Sequence, residues 1–562
     1  MASIDDIFKH SGVSNKRKLE QPLRNPDEVY KASKLSPNDT NRHASVEDVP
    51  MTEGDDEDDF GPELPQKMAT TRRILDFVDE ADTGSAPDKI DAAWLRKTAL
   101  NFEKRITKNA ELRAKFEDQP QKFIASEADL DSEIKGLSIL AEHAELYSDF
   151  VKLGCVGSLT GLLAHENTDI AIDAIEIIGE LTDEDTTAED AQWNALVDAL
   201  LDNDLLGLLV SNFSRLNEED ESDRNGVYYS LGVMENLCSR KPTAIRMAEE
   251  DRLLEWLLQR IQRKESPVTQ NKQYAAEIFA ILAQSAPENR RKLASLDAVD
   301  VMLQLVAPYR RRDPDKGSEE EEYMENLFEA LTCLVDEPAG KSKFLEAEGT
   351  ELCLIMIKES KMAKASALRL LDHAAGGAAG VEVCQKAVEA GGLKATFTLF
   401  NKTQDHRLLN HLLAIFATML RFLPADSAER IRLLAKFVEK DYEKITKLIK
   451  LRRDYAGRVV MAEEEFKRSG GTGDTEENEV ELLSRRLDAG LFTLQLVDVI
   501  LAWLVAEDGG AKQKVKKLLA ERDEDLGSVK ATLKEQLNGL DTTEKDSKDL
   551  GDMLGTLLDF LQ

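Results

Sequence analysis

Along most of the chain apolar residues recur at intervals of three and four, the spacing that places them on one side of an α-helix. Residues 157–181 show the pattern clearly. The stretch GSLTGLLAHENTDIAIDAIEIIGEL reads as a short apolar helix, a polar turn from His165 to Asp169, and a longer helix with Ile170, Ala174, Ile177, Ile178 and Leu181 on one face. Asn167 or Asp169 is positioned to cap that second helix through a side-chain oxygen. Helices of the same kind are predicted to open near Asn225, Asn271, Glu319, Lys361 and His406, a period of roughly 42 to 50 residues. Strand-like alternation never persists beyond a few residues. The predicted fold class is all-α.

A helical unit that cannot bury its own apolar stripe must stack on its neighbours. The period therefore predicts an armadillo- or HEAT-type superhelical solenoid with N- and C-terminal helical caps, a scaffold with an extended surface rather than a pocket enzyme. At 562 residues the chain also exceeds what one hydrophobic core supports. Residues 1–66 lack helical periodicity and are rich in Asp, Ser, Asn and Pro, so they are expected to be a disordered tail. That tail carries the basic cluster Lys16, Arg17 and Lys18 and, over 47–63, an acidic block with Asp55, Asp56, Glu57, Asp58 and Asp59 and no Lys or Arg. Residues 67–129 are expected to form an N-terminal helical cap, with helices over 70–80 and 89–106, and residues 130–423 the armadillo-like repeats, with charged loops at 217–225 and 310–322. Beyond Pro424 the period breaks. Residues 424–562 are expected to hold a long charged helix over 428–467, a flexible hinge over 469–479 and an apolar helix over 487–505 that must be buried. Amphipathic helices over 511–521, 525–537 and 543–561 would then form a C-terminal cap or a self-association surface.

The charge narrows the partners. With 107 Asp and Glu against 73 Lys and Arg, the net charge is -34, which argues against direct nucleic-acid binding and favours basic partners, although excess carboxylate also keeps a long solenoid soluble. Cys155, Cys238, Cys333, Cys353 and Cys384 form no CxxC pair and sit in apolar helical contexts, as buried thiols in a reducing compartment do. No apolar run approaches the roughly 20 residues of a membrane span, and the first fifteen residues lack a secretory apolar core. HExxH, GxSxG and a GxGxxG following a strand are absent. Gly340, Lys341 and Ser342 match the end of a phosphate loop, but Val335 stands where that loop needs glycine. His406 and His411 have no cysteine pair at zinc-finger spacing. No catalytic residue, cofactor or metal is expected. The Lys16-Arg17-Lys18 cluster is short for a nuclear localisation signal, and many such triplets are inert, but its accessible position favours that role.

The polar residues of the long helices suggest a groove. Glu176 and Glu180 lie one turn apart, and Glu235-Asn236 in MENLC recurs as Glu325-Asn326 in MENLF. Glu277 and Asn410 extend the row. The third helix of an armadillo unit lines the concave groove, so these residues would offer acceptors to a basic, extended peptide. The competing reading is that Asn236 and Asn326 bond neighbouring backbone and fix the superhelix. The importin-type WxxxN ladder is missing, since Trp193, Trp256 and Trp503 have no Asn four residues later.

Several segments carry a more specific likeness: NFEKRITKNAELRAKFEDQPQKF (101–123), GLLAHENTDIAIDAIEIIGELTDED (161–185), ENRRKLASLDAVDVMLQLV (288–306), MENLFEAL (324–331), SALRLLDHA (366–374) and RRLDAGLFTLQ (485–495). In this order they resemble the beta-catenin-like protein 1 family of nuclear armadillo-type proteins, from about residue 67 to the end. The tail resembles it only in kind, a basic cluster followed by an acidic block. The resemblance implies localisation in the nucleus and an accessory, non-enzymatic role in pre-mRNA splicing, in association with the NineTeen complex and its Myb-repeat splicing factor. It also implies recognition of basic, NLS-like segments of partners and a homodimer. The alternatives are a nuclear-import adaptor for basic cargo, which would require the missing ladder, and a cytoskeletal or adhesion scaffold.

Overall fold

The computed structural model describes residues 89–469, 476–540 and 545–561. They lie in one compact unit, Gly84–Gln562. The cluster Lys16, Arg17 and Lys18, the acidic block, the predicted helix over 70–80 and most of the predicted hinge fall outside the described residues. Among the described residues there is no strand, as the pattern predicted.

Six helices form the spine: Thr168–Thr182, Glu221–Cys238, Gln270–Ser285, Glu319–Leu334, Ala363–Ala375 and His406–Phe422. Each packs on the one before it and the one after it. Their starts are written in short polar side chains. Asn167 accepts the Asp169 N–H at 3.0 Å, Asp220 the Ser222 N–H at 2.9 Å, Ser318 the Glu321 N–H at 3.2 Å and Asp405 the Arg407 N–H at 2.8 Å. Each such cap contributes about 1 kcal/mol. The Ala363–Ala375 helix has no cap of its own, and the preceding Met362 N–H is held instead by Asp313 at 3.1 Å. The second spine helix opens at Glu221 rather than near Asn225. Its first turn, Glu221 to Arg224, is charged enough to read as loop, yet Asp220 caps it and acidic residues suit a helix N-terminus.

Two further rows complete the three-helix unit. One comprises Lys241–Ala248, Pro287–Ser295, Pro338–Glu346 and Val381–Glu389; the other, outer row comprises Leu205–Phe213, Asp251–Gln262, Ala298–Val306, Gly349–Glu359 and Gly392–Lys402. The turn into an outer or equivalent helix repeatedly uses left-handed backbone, at Gly154, Asp204, Asp297, Glu348 and Gly391. Phe279, Phe328, Phe344, Phe400 and Phe416 are fully buried in the shared core.

The stack does not end at Pro424. The apolar helix Leu491–Glu507 packs on His406–Phe422 and is buried as predicted, so the spine gains a seventh rung. The helix predicted over 428–467 spans Ala428–Arg468 but is broken at 439–442, where Lys440, Asp441 and Tyr442 take φ values of 56°, 52° and 62°. Glu439 there accepts Lys444 Nζ at 2.7 Å. An additional helix, Glu476–Asp488, occupies sequence read as hinge and linker. It ends before Gly490, whose φ of 100° and whose contact with the Tyr455 ring, 2.4 Å from where a Cβ would stand, leave room only for glycine.

Two buried arginines bind this region together. Arg430, 2% exposed, pairs with Glu507, lies over the Trp503 ring at 4.7 Å and donates to the Leu423 carbonyl at 2.9 Å, closing the end of the His406–Phe422 helix. Arg452 donates from Nε to Asp498 at 2.8 Å and from Nη1 to Glu524 at 3.0 Å, with Asp498 wholly buried. Replacing Arg452 by alanine strands that carboxylate, and we expect a loss of about 3–5 kcal/mol in urea unfolding. The Arg452→Met/Asp498→Leu double variant should recover most of it. Equal losses in both variants would contradict the assignment.

Candidate interaction surface

Beside the stripes that bury the first four spine helices lies a strip of carboxylates, exposed or half-buried, joined on the second and third helices by tyrosines. On Thr168–Thr182 the strip carries Asp173, half-buried Glu176 and exposed Glu180. Asp173 hydrogen-bonds Asp131 of the Ile124–Gly136 helix, and Lys135 stands 3.3 Å from Asp173. Burial first, and then Asp131, raise the Asp173 carboxyl to about 8, whereas its bonds to Asp173 and Lys135 hold Asp131 below the usual range against burial. The pair thus shares one proton at neutral pH. Glu180 is exposed, yet partial burial of its carboxyl and then the neighbouring Glu176 raise it above the usual range.

The next two rungs add aromatic rings. Tyr229 hydrogen-bonds Glu176 across the rung gap, and Tyr228 leans on Tyr274 with centroids 5.2 Å apart. The Tyr274 hydroxyl donates to Glu235, and Gln273 donates to Glu277 at 2.9 Å. On Glu319–Leu334, Glu325 is exposed and its carboxyl is raised by burial of its base and by Glu321, while Asn326 is half-buried beside it. Arg369 of the following rung pairs with Glu329. The predicted carboxylates Glu176, Glu180, Glu235, Glu277 and Glu325 therefore lie on four successive rungs, the first joined to the second through Glu176 and Tyr229 and the second to the third through Glu235 and Tyr274. Two predicted amides act within the fold. Asn236 donates to the Gly179 carbonyl at 2.9 Å and to Thr182 Oγ1 at 3.3 Å, and Asn410 accepts from Thr493, so each ties one rung to another.

The tyrosines escaped the sequence reading because their rings count toward an apolar stripe. Tyr228-Tyr229 between Gly226 and Gly232 was the signal that could have marked them. The three tryptophans considered for a ladder lie elsewhere: Trp193 is buried on Asp190–Asp202, Trp256 stacks on Phe213 at 3.5 Å, and Trp503 lies under Arg430. Lys341 of the phosphate-loop-like triplet is buried and donates to the His373 carbonyl, a cap rather than a cradle. Among the described residues no three His, Cys, Asp or Glu side chains are grouped to hold a metal ion, and no single helix is long and apolar enough to cross a membrane.

A family model described as "Catenin-beta-like, Arm-motif containing nuclear" matches residues 72–534. The chain belongs to that family. Its sequence is 37% identical to the Schizosaccharomyces pombe beta-catenin-like protein 1 homolog over 552 residues, 97% of this chain and 95% of that protein. Human beta-catenin-like protein 1 is 38% identical over 464 residues, 79% of this chain and 82% of the human protein. As a member of the catenin-beta-like family the chain is an armadillo-repeat solenoid, a fold generally used for protein binding rather than catalysis, and its family is described as nuclear.

The Asp131–Asp173 pair makes a testable demand. Since Asp173 in the folded chain keeps a proton that the unfolded chain releases in the ordinary aspartate range, stability should fall as pH rises toward about 8. Asp173→Asn mimics the protonated form. In thermal melts it should match the parent at about pH 4 and exceed it at about pH 9; a constant difference across that range would contradict the shared proton.

Proposed function

We propose that this protein is a nuclear, non-enzymatic scaffold of the pre-mRNA splicing machinery that holds basic, NLS-like segments of splicing factors against the acidic inner strip. The observation carrying this reading is the succession of Glu176, Glu180, Glu235, Glu277 and Glu325 along four stacked rungs, beside the half-buried rings of Tyr228 and Tyr229. An extended peptide passing over the rungs meets a carboxylate at each step, and ring faces beside carboxylates suit Lys and Arg side chains. Family membership supports the nuclear setting. Association with the NineTeen complex and its Myb-repeat splicing factor, and homodimer formation, belong to the same proposal. Import of basic cargo is the second reading; the absence of tryptophans from the six spine rungs disfavours it. Lys16, Arg17 and Lys18 are proposed to direct nuclear entry.

Calorimetry of the full chain against a Lys- and Arg-rich segment of a splicing partner tests the groove. Glu180→Lys/Glu325→Lys changes two exposed carboxylates whose removal leaves the apolar stripes intact, and should weaken binding at least tenfold or so through like-charge repulsion. Because both carboxyls are raised, affinity should begin to fall at a higher pH than for ordinary glutamates as the solution is acidified. Unchanged affinity in the double variant, or binding indifferent to salt, would place the peptide elsewhere.

A further inference from the structure

Within this strongly acidic chain, residues 349–458 carry 19 Lys and Arg against 12 Asp and Glu, in a polypeptide whose net charge is -34. The fold gathers part of that surplus on the outer row. Between Gly349–Glu359 and Gly392–Lys402 lies a groove of about 610 Å³ floored by Leu354, Ile355 and Leu399 and rimmed by Lys358, Lys364, Lys394 and Lys402. Ile355 is 39% exposed in it. A second hollow of about 550 Å³ shares Lys402 and continues along the distal part of Ala428–Arg468 past Lys447 and Lys450 to Arg458.

The cations are poorly neutralised. Lys358 meets Glu359 only at 3.9 Å, and Glu351, a carboxylate of the groove wall, is engaged by Lys386 at 2.8 Å. Among the described residues Lys364, Lys394, Lys402 and Lys450 form no ion pair. Lys447 donates to the Phe400 and Thr403 carbonyls, so the end of the Gly392–Lys402 helix fixes another ammonium group beside Lys450. Lys364, Lys394, Lys402 and Lys450 thus have no ion pair among the described residues to offset their mutual repulsion, although Glu359, Glu443 and Asp454 also line the two hollows.

We propose that this outer ridge is a second docking site, for an acidic linear peptide that seats one apolar side chain on Ile355 and Leu399 and lays its carboxylates on Lys364, Lys394 and Lys402. The aliphatic floor supports a peptide over a nucleic acid, which needs ring faces for its bases. The one tyrosine of the second hollow is closed off, which leaves the His406 imidazole as its exposed ring. Arg458 donates to His406 Nε2 at 3.1 Å, so His406 carries its proton on Nδ1 and directs it at the hydroxyl of Tyr455, whose side chain is buried. The chain's overall negative charge also opposes a long polyanion. The ridge is built mainly from the outer row, with Lys364 at the start of a spine helix that carries none of the five strip carboxylates, so the proposal stands independently of the basic-peptide reading.

Fluorescence anisotropy of the full-length protein with a labelled peptide of Asp and Glu around one central Leu tests it. The parent should bind, and Lys364→Glu/Lys394→Glu/Lys402→Glu should weaken binding at least about tenfold, with Lys394→Gln/Lys402→Gln giving a smaller loss in the same direction should the triple variant fold poorly. Replacing the peptide's Leu by Ser should weaken binding, and Glu180→Lys/Glu325→Lys should leave it unchanged. No binding by the parent, equal binding by a folded lysine variant, indifference to the Leu-to-Ser change, or tighter binding of an oligouridylate of equal charge would each overturn the proposal.

Discussion

An amphipathic helix with an uncovered apolar stripe is stable only when another helix covers it, and along this spine the cover is the adjoining rung. That dependence fixes the order of the six spine helices and extends them by Leu491–Glu507, which brings its own apolar surface to the end of the row. Armadillo architecture here is the outcome of repeated local need rather than one central core. It also divides every spine helix into a covered face, constrained by packing, and an uncovered strip free to vary in chemistry.

The uncovered strip became acidic and aromatic, whereas buried charge was admitted only with partners. Arg430 and Arg452 show the second rule: each enters the interior with a carboxylate and, for Arg430, with carbonyls that a helix end leaves over. Asp173 shows the intermediate case, in which crowding of two carboxylates is relieved by retaining a proton. The outer ridge is the converse of the inner strip, with cations left unmatched around an aliphatic floor. The two surfaces differ in sign, place and shape, as separate docking sites would.

Sequence pattern carried the fold as far as local physics decides it. Helix starts at Gln270, Glu319, Ala363 and His406 fell close to the predicted openings because capping residues and apolar spacing are local. Glu221 was missed where charge masked a first turn, and the break at 439–442 because no Gly or Pro announces three left-handed residues. Glu235 and Glu325 were legible from MENLC and MENLF, and Asn236 was legible as a residue that bonds neighbouring backbone, but the particular groups that Asn236 and Asn410 bond were not. Their partners, Gly179, Thr182 and Thr493, are supplied by other rungs distant in sequence. For the same reason the ridge was invisible: Lys364, Lys402 and Lys450 are ordinary until three helices bring them together.

The central claim, that the inner strip receives basic peptide, is tested most directly by zero-length carbodiimide coupling of the full chain to a Lys-rich splicing-factor peptide, with the joined residues mapped by mass spectrometry. Adducts should concentrate on Glu176, Glu180, Glu277 and Glu325 and disappear as salt screens the pairs. Adducts confined to the charged loop around Glu218 to Glu221 or to carboxylates of the outer row, with the strip unmodified, would contradict it.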